Sequence, residues 1–346
     1  MNDSQTHPQG AFTTMTLNIT PQALNSAPSD GSPPHTNRSL VVSFSAKEDI
    51  PPIALGILIL LANGLVLILV ARNKHLRTIT NLLLCSLALS DLLTGLVSIP
   101  LAMMCNLLRQ SGICVADDQM LRFTSVSIVC HLVAVSIDRY LAIIHSLRYK
   151  AIVTLPRCVS VLLCTWTLSA AMALVQLSWM DPVNHDIYQD PPHDVVRNEN
   201  IYDVTSLLVF FLAPLVCMVF VYAKIFCEVS RQIDLLQKQS IPGWQEEKKL
   251  KYAERKAVTI FAVMLLVYTV GWLPYFALRL NRLDHLHPLV VHISMWLRFL
   301  TSFLNPCLYI FGKRDFREAL KCMRRKSETS HEYGYMIPLD RLGALG

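Results

Sequence analysis

The stretch IPPIALGILILLANGLVLILVA, residues 50–71, carries no charged side chain. An α-helix needs about 20 mainly apolar residues to cross the roughly 30 Å hydrocarbon core of a bilayer. Its apolar residues are continuous rather than alternating with polar ones, which favours a helix over a strand of a membrane barrel. The stretch therefore predicts a membrane-spanning helix from Ile50 to Ala71.

Six further apolar runs of similar length follow, and they predict six more spans: 82–104, 123–144, 158–179, 204–226, 257–280 and 289–311. The composition agrees, because 53% of the residues are apolar and 16% are charged, whereas soluble proteins have about 25% charged residues. A polar stretch extends the third run outward to about Cys114. No internal repeat suggests the duplicated halves of a transporter. The expected fold is an all-α membrane protein, a bundle of seven transmembrane helices.

The distribution of basic residues predicts the orientation of the chain. Loops that face the cytosol carry an excess of Lys and Arg. The loops after the first and third runs and the segment after the seventh are basic, whereas the loop after the fourth is acidic. We therefore expect a plasma-membrane protein with its N-terminus outside the cell and its C-terminus in the cytosol. The net charge of +6 is distributed between membrane spans, which argues for contact with membrane lipid and against binding of nucleic acid.

Residues 1–49 precede the first span and are rich in Ser, Thr, Pro and Asn. They contain three Asn-x-Ser/Thr sequons, at Asn2, Asn18 and Asn37. Three sequons in one polar segment predict an extracellular, glycosylated tail.

Residues 313–346 follow the seven-span core, which occupies residues 50–312. Apolar side chains recur there at three- and four-residue spacing between basic ones. This pattern predicts a short amphipathic helix on the membrane surface, followed by a cytoplasmic tail. Cys322 on this helix is a candidate for palmitoylation, and a free thiol is the alternative.

Polar residues inside the spans are costly and mark paired or functional positions. Each span carries such a residue or a distinctive Trp or Pro: Asn63, Asp91, Asp138-Arg139-Tyr140, Trp166, Pro214 with Tyr222, Trp272-Leu273-Pro274, and Asn305-Pro306 with Tyr309. In this order and at these depths, the set resembles the rhodopsin-like (class A) G-protein-coupled receptors over about residues 50–323.

The resemblance implies a receptor, not an enzyme, that converts binding of an extracellular ligand, or constitutive activity, into activation of a heterotrimeric G protein. Arrestin and receptor kinases are further partners it implies. The implied activation switch comprises Asp138, Arg139, Tyr140, Tyr222, Glu254, Trp272, Pro274, Asn305, Pro306 and Tyr309. In it Arg139 pairs with Glu254 at rest and parts from it on activation. The alternative is that these are ordinary interfacial charges that reach toward water.

A carboxylate at mid-membrane, Asp91, needs a cation, a proton or several hydrogen-bond donors. The resemblance surrounds it with Asn63, Ser302 and Asn305, a set that often holds a sodium ion. Two neighbours depart from the family pattern, Ile128 where a hydroxyl is usual and Thr301 where Asn is usual. Two states of Asp91 therefore remain as alternatives: a carboxylate that binds sodium, or one that is protonated or bridged by water. No other cofactor and no metal centre is expected.

Two departures from the family narrow the ligand. Leu121 stands where amine receptors carry an acid, so a typical amine receptor is not expected. Phe299 stands where opsins carry the lysine that binds retinal, and no lysine lies between Lys256 and Lys313. Without an amine, no Schiff base can form.

The implied ligand pocket contains unusual cations. Its expected residues are Asp118, Leu121, Arg122, Tyr275, Phe276, Arg279 and Arg298. Guanidinium groups bind carboxylates, phosphates and sulfates, which slightly favours an anionic, lipid or peptide ligand. Alternatively, Asp117 or Asp118 neutralises an arginine internally. The acidic loop after the fourth span would attract cations instead, and a peptide or a zwitterion would satisfy both signals.

The positions of the cysteines allow two interpretations of the disulfide bonding at the outer end of the bundle. Most family members join the third span to the second outer loop, but residues 181–203 contain no cysteine. Cys105 and Cys114 are close enough in sequence to form a bridge across the first outer loop, or both are free thiols. Two rival functions also remain: a secondary transporter with Asp91 as ion carrier, and a receptor partner that does not signal.

Overall fold

The computed structural model describes residues 46–181, 192–238, 244–281 and 288–334. Eight helices account for nearly all of these residues, and no strand occurs in these ranges. Their bounds are α1 Ala46–Arg72, α2 Ile79–Leu108, α3 Ser111–Ile144, α4 Leu155–Ser178, α5 His193–Lys238, α6 Trp244–Asn281, α7 Pro288–Gly312 and α8 Arg314–Gly334. The sequons at Asn2, Asn18 and Asn37 lie outside the described residues.

The first seven helices form a bundle in which neighbours in the sequence are neighbours in space. α1 packs on α2 and α7, α3 packs on α2, α4 and α5, and α6 packs between α5 and α7. We call the end of the bundle next to α8 the inner end, and the end where α2 meets α3 the outer end. The seven-span fold expected from the sequence is confirmed.

Apolar surface on the outside of the bundle is the feature expected of a chain that lies in lipid. Leu61, Val216, Phe220 and Leu266 are all exposed. Among the described residues, α1 to α6 are long and apolar enough to cross a membrane. α7 carries Arg298 and Asn305, and it packs within the bundle against α1 and α6. The chain is a multi-pass membrane protein.

Three helices extend further than their apolar runs indicated. α3 begins at Ser111, beyond both its apolar run from Phe123 and the polar extension to about Cys114, and α5 begins at His193 rather than Val204. These outer turns are polar, but their charged side chains pair inside the bundle, so the helix continues at low cost. α6 begins at Trp244 instead of near Ala257, because its charged inner turns lie beyond the span.

A glycine allows α6 and α7 to approach closely. A Cβ atom added to Gly271 would lie 2.1 Å from Thr301 Cγ2 and 3.1 Å from the Leu297 carbonyl oxygen. The distance to Thr301 is shorter than real Cβ atoms show, and the distance to the Leu297 backbone is tighter than most Cβ contacts, so Thr301 would have to move. Gly271 therefore fixes the spacing between the two helices beside Trp272.

A disulfide joins the end of α2 to the start of α3. Cys105 and Cys114 are bonded, with their Cα atoms 4.8 Å apart. Between them Arg109 adopts a left-handed conformation with φ 47°, which ends α2. Of the two alternatives left open by the sequence, the structure has the bridge.

Candidate functional site

The inner end of α3 carries a hydrogen-bonded network around one carboxylate. Asp138 accepts hydrogen bonds from Arg139 (2.6 Å), Thr80 (2.7 Å) and Tyr149 (2.7 Å). Arg139 also donates to the hydroxyl of Thr80 on α2, and its guanidinium carbon lies 5.9 Å from the ring centre of Phe261 on α6. Burial and the Asp138 hydrogen bond raise the pKa of Tyr149 to about 12, so its phenol stays protonated and donating.

Glu254 is not the partner of Arg139. Its carboxylate pairs with Lys251, three residues earlier on α6, at 3.0 Å, whereas Arg139 pairs with Asp138. The predicted Arg139–Glu254 pair is therefore wrong for this structure. A pair within one helix needs no particular spacing between helices, and Thr80 together with Asp138 already satisfies the guanidinium.

Other residues of the expected switch lie along one buried column. Tyr222 on α5 shares a 2.8 Å hydrogen bond with Ser136 on α3. Tyr309 on α7 is fully buried, and its ring centre lies 5.7 Å from that of Phe316 on α8. Among the residues that the structure describes, its hydroxyl has no hydrogen-bond partner. Tyr140 lies apart from this column, with its ring centre 5.9 Å from that of His145.

Trp272 is buried near the middle of α6, two residues before Pro274. Its ring centre lies 6.2 Å from Tyr268 and 5.7 Å from Tyr275. Phe276 continues the aromatic column by packing against Phe211 of α5, 5.0 Å away. Pro274 and Pro306 lie inside α6 and α7, where each removes one backbone hydrogen bond.

Asp91 lies at the centre of the bundle with few donors around it. Asn305 donates to its Oδ2 atom at 3.3 Å, and Asn63 donates to the Ser302 carbonyl at 3.1 Å. Three buried oxygens have no partner within the described residues: Asp91 Oδ1, Asn63 Oδ1 and Ser302 Oγ. Thr301, where the family usually has Asn, donates instead to the Arg298 carbonyl at 2.7 Å.

Five charged residues form an ion cluster at the outer end of α3, α5 and α6. We call Asp118, Arg122, Glu199, Asp203 and Arg279 the outer ion cluster. Arg279 reaches Asp118 at 2.7 Å, Asp203 at 3.1 Å and Glu199 at 3.2 Å. Arg122 pairs with Asp118 at 2.8 Å and with Glu199.

Neighbouring side chains complete this cluster. Gln176 donates to Asp118 at 2.8 Å, and Trp179 donates to Glu199 at 2.7 Å. The Arg122 guanidinium lies 4.0 Å from the ring centre of Tyr202. Arg122 and Arg279 are therefore paired with carboxylates within the protein, and the internal neutralisation considered from the sequence applies to both; Arg122 Nη1 alone has no partner among the described residues.

The third arginine of the expected pocket, Arg298, remains outside the ion cluster. Its guanidinium carbon lies 5.2 Å from the ring centre of Phe299 and 5.4 Å from that of Tyr275. Within the described part of the chain, its Nε atom has no hydrogen-bond partner. Arg298 lines a small cavity between α2, α3, α6 and α7 of about 10 Å³, room for about one water molecule. Leu121 and Asp117 also line this cavity.

Sequence reasoning missed Glu199, Asp203 and Gln176 as site residues. It assigned the two acids to an outer loop because hydropathy starts the fifth span only at Val204. A signal was present, since Glu199 and Asp203 are four residues apart and share one face of a helix. Gln176 offered none, because its partners come from distant parts of the chain.

Cys322 and the amphipathic pattern lie on α8 as expected. Phe316 and Ala319 are buried against the bundle, and Cys322 is exposed. Lys313, just before α8, donates to Asn81 at 2.7 Å. Burial lowers the pKa of Lys313 to about 8, and the positive charge of Arg139 acts in the same direction.

Comparisons with known proteins agree with this geometry. The model of the family "7 transmembrane receptor (rhodopsin family)" matches residues 62–309. The adenosine receptor A2a of Canis lupus familiaris is 30% identical over 296 residues, 78% of this chain and 70% of the relative. The histamine H2 receptor of Homo sapiens is 29% identical over 321 residues, 87% of each chain. A QRFP-like peptide receptor of Branchiostoma floridae is 28% identical over 285 residues, 77% and 74% of the two chains.

The three relatives are named for a nucleoside, an amine and a peptide, so their names do not agree on a ligand. They agree on the kind of protein, a receptor and not an enzyme. The matched residues include every helix of the bundle and the inner-end network around Arg139. The chain belongs to the rhodopsin family of seven-transmembrane receptors.

Proposed function

We propose that this receptor lies in the plasma membrane with its N-terminus outside, and that it couples an extracellular ligand to a heterotrimeric G protein. Membership of the family supports G-protein coupling and an extracellular ligand. The basic segments after the first, third and seventh helices support the orientation. The ligand binds from the outer end, and the G protein binds at the inner end.

The observation that carries this proposal is the state of Arg139. Its guanidinium is held by Asp138 and Thr80 and lies beside Phe261 of α6. The Arg139 guanidinium is bound to α3 and α2 and lies next to α6. It is therefore suited to two positions, one in this structure and one that it takes when α6 moves. When the inner part of α6 moves outward, Arg139 leaves Thr80 and contacts the G protein.

Helix α6 transmits the signal from the ligand. Trp272 contacts Tyr275 on the outer side and Tyr268 on the inner side, and Pro274 weakens the helix between the two ends. Repacking of Trp272 around a ligand therefore moves the inner half of α6. Tyr222 and Tyr309 then contribute hydroxyl groups to the opened inner end.

The residues around Asp91 fit a sodium ion. Three buried oxygens that have no partner among the described residues, from Asn63, Asp91 and Ser302, suit a hard monovalent cation. When bound, the ion would supply the positive charge that Asp91 otherwise lacks. Asn305 orients the carboxylate by its hydrogen bond.

The surface helix and the tail after it serve regulation. A palmitoyl group on the exposed Cys322 would add a lipid anchor beside the buried face of α8. Receptor kinases would phosphorylate the tail and so recruit arrestin, because phosphate adds charge that an arginine-rich partner can bind.

The test is a panel of second-messenger and guanine-nucleotide exchange assays in cells that express the chain, first without ligand and then with amines, peptides and acidic lipids. Arg139→Ala and Arg139→Asp should both change the output while surface expression persists. Lys321→Gln, an exposed change on α8, is the matched control. Outputs that neither Arg139 variant alters would contradict the switch.

The same assays distinguish the proposed receptor from the two rival functions, a secondary transporter and a receptor partner that does not signal. A transporter would move substrate in response to gradients, without dependence on guanine nucleotide. A receptor partner that does not signal would give no exchange under any condition when expressed alone.

A further inference from the structure

A lysine without an acidic partner lies beside the switch at the inner end of the bundle. Lys313 follows α7 and is half-buried. Its Nζ atom donates a hydrogen bond of 2.7 Å to Asn81 Oδ1 on α2 and lies 5.4 Å from the ring centre of Phe316. Within the described ranges, no ion pair joins it to a carboxylate. An ammonium group has three hydrogens to donate, so one neutral acceptor leaves it under-satisfied.

Asn81 holds this ammonium group close to the network around Asp138. Asn81 is buried and follows Thr80 on α2, and the Thr80 hydroxyl donates to Asp138. The Asn81 amide is itself fixed, because its Nδ2 atom donates to the Leu76 carbonyl at 2.8 Å. Two consecutive residues of α2 therefore hold Asp138 and Lys313.

The charge of Lys313 is sensitive to both members of the Asp138–Arg139 ion pair. Burial lowers the pKa of Lys313 to about 8, and the positive charge of Arg139 acts in the same direction, whereas the carboxylates of Asp315 and Asp138 raise it. Asp315 is exposed on α8, where solvent screens its charge. As long as Arg139 stays in place, its charge opposes the attraction between Lys313 and Asp138.

The proposed movement of Arg139 leaves a buried carboxylate without a cation. Asp138 is 4% exposed. Thr80 and Tyr149 still donate to it after Arg139 has left, but both donors are neutral. Removing one partner of a buried ion pair is strongly destabilising, so the active state needs another cation here. The same movement takes away the charge that opposed Lys313.

We propose that Lys313 is a positioning residue of the activation switch, whose ammonium group replaces the Arg139 guanidinium as the counter-ion of Asp138 in the active receptor. This inference rests on the proposed function, because it concerns the state in which Arg139 contacts the G protein. A lysine suits this role, since its flexible stem can carry a compact charge from Asn81 to Asp138. Lys313 thereby stabilises the active state.

Guanine-nucleotide exchange in cell membranes that contain the full chain tests this role. Lys313→Gln should lower the output several-fold after normalisation to surface expression, because fewer receptors reach the active state. Lys313→Arg keeps the charge and should restore most of the output. Lys321→Gln, the same change at an exposed position of α8, should leave it unchanged. An output of Lys313→Gln equal to that of wild type overturns the proposal.

A double-mutant cycle separates this role from a direct contact between Lys313 and the G protein. Asp138→Asn removes the charge that Lys313 is proposed to balance. Lys313→Gln should therefore no longer lower the output in the Asp138→Asn background. A loss by the same factor in both backgrounds would indicate a direct contact with the G protein and would overturn the proposal.

A pH profile of the purified full chain in detergent tests the exchange of partners without a G protein. The wild-type melting temperature should begin to rise near pH 8, because the folded chain loses the proton of Lys313 there while the unfolded chain keeps it. Arg139→Gln imitates the departure of the guanidinium, so the pKa of Lys313 should rise and the melting temperature should begin to rise at a higher pH.

An onset that does not shift in the Arg139→Gln variant overturns the role of Lys313. This failure is distinct from a failure of the proposed function. If the Arg139 variants alter signalling and the onset stays in place, the switch stands and only the exchange of partners is wrong.

Discussion

Thr80 is the residue through which α2 holds the switch. Its hydroxyl donates a hydrogen bond to Asp138 and accepts one from Arg139. Thr80 therefore contacts both members of the ion pair. A hydrogen bond of this kind contributes about 1 kcal/mol, and more when a partner is charged. The balance between the bound and released positions of Arg139 therefore depends on the hydroxyl group of Thr80.

Thr80→Val removes that hydroxyl and keeps the shape of the side chain. We expect ligand-independent G-protein activation to rise several-fold, because a change of about 1.4 kcal/mol shifts a two-state equilibrium tenfold. Second-messenger output normalised to surface expression measures it. Thr80→Ser, which keeps the hydroxyl, should behave as wild type. Equal output from the two variants would contradict the role of Thr80.

Lys313 makes the stability of the receptor depend on pH in the alkaline range. Burial lowers the pKa of Lys313 to about 8 in the folded chain, below the ordinary 10.5 of a free lysine. Between these values the unfolded state binds more protons, so stability rises with pH across this window.

The melting temperature of the purified receptor, followed from pH 7.5 to 10.5, should show this rise. Lys313→Gln should flatten the curve relative to wild type, and Lys321→Gln, an exposed lysine on α8, should leave it in place. A wild-type slope in the Lys313 variant would rule out this lysine as the cause.

At the residue scale, the sequence predicted which side chains matter better than it predicted their partners. Asp91, Arg139 and Trp272 lie where their motifs indicated. Arg139 was expected to pair with Glu254, but Glu254 pairs with Lys251 on the same helix. Pairing between helices depends on where two helix ends face each other, and spacing within one helix carries no information about that.

At the element scale, the contact between α6 and α7 depends on the absence of a side chain at Gly271. Gly271→Ala would place its Cβ inside the radius of Thr301 Cγ2 and against the backbone of Leu297. Overpacking of this kind costs about 1–3 kcal/mol. We expect a lower melting temperature and a disturbed Trp272, the next residue.

Thermal unfolding of the purified receptor, with tryptophan fluorescence alongside, checks this expectation. Gly64→Ala is the matched control, because a Cβ atom there meets no other atom within 4 Å. A Gly271 variant as stable as the Gly64 variant would show that α6 and α7 can separate without cost.

Helix positions followed from hydropathy, but several helix ends did not. The apolar runs predicted every span, and a polar stretch extended the third outward to about Cys114, while the outer turns of α5 were assigned to a loop. Charged residues lower the hydropathy of those turns, and only the folded bundle shows that Glu199, Asp203 and Asp118 face two arginines. The sequence left open whether Cys105 and Cys114 form a bridge or are free thiols. The answer depends on how α2 approaches α3, which only the folded bundle shows.

At the scale of the whole molecule, the outer ion cluster connects three helices that share no covalent link at this end. Arg279 of α6 contacts carboxylates from α3 and α5. Arg279→Gln would leave three carboxylates with one arginine. Removing one partner of a buried pair costs about 3–5 kcal/mol.

We therefore expect Arg279→Gln to lower the melting temperature strongly and to reduce surface expression. Arg197→Gln, at an exposed position of α5, makes the same chemical change and should have little effect. Flow cytometry of surface protein and thermal unfolding measure the two consequences. Wild-type values for both would mean that the cluster does not hold the outer end together.

The outer ion cluster also imposes an order on biosynthesis. Asp118 and Arg122 enter the membrane with α3 and pair within one helix, but Glu199 and Asp203 arrive with α5 before the ribosome has made Arg279. Until then Arg122 is the one arginine of the cluster available to Asp118, Glu199 and Asp203. The outer end of the bundle therefore reaches its final charge balance only when α6 has joined α3 and α5.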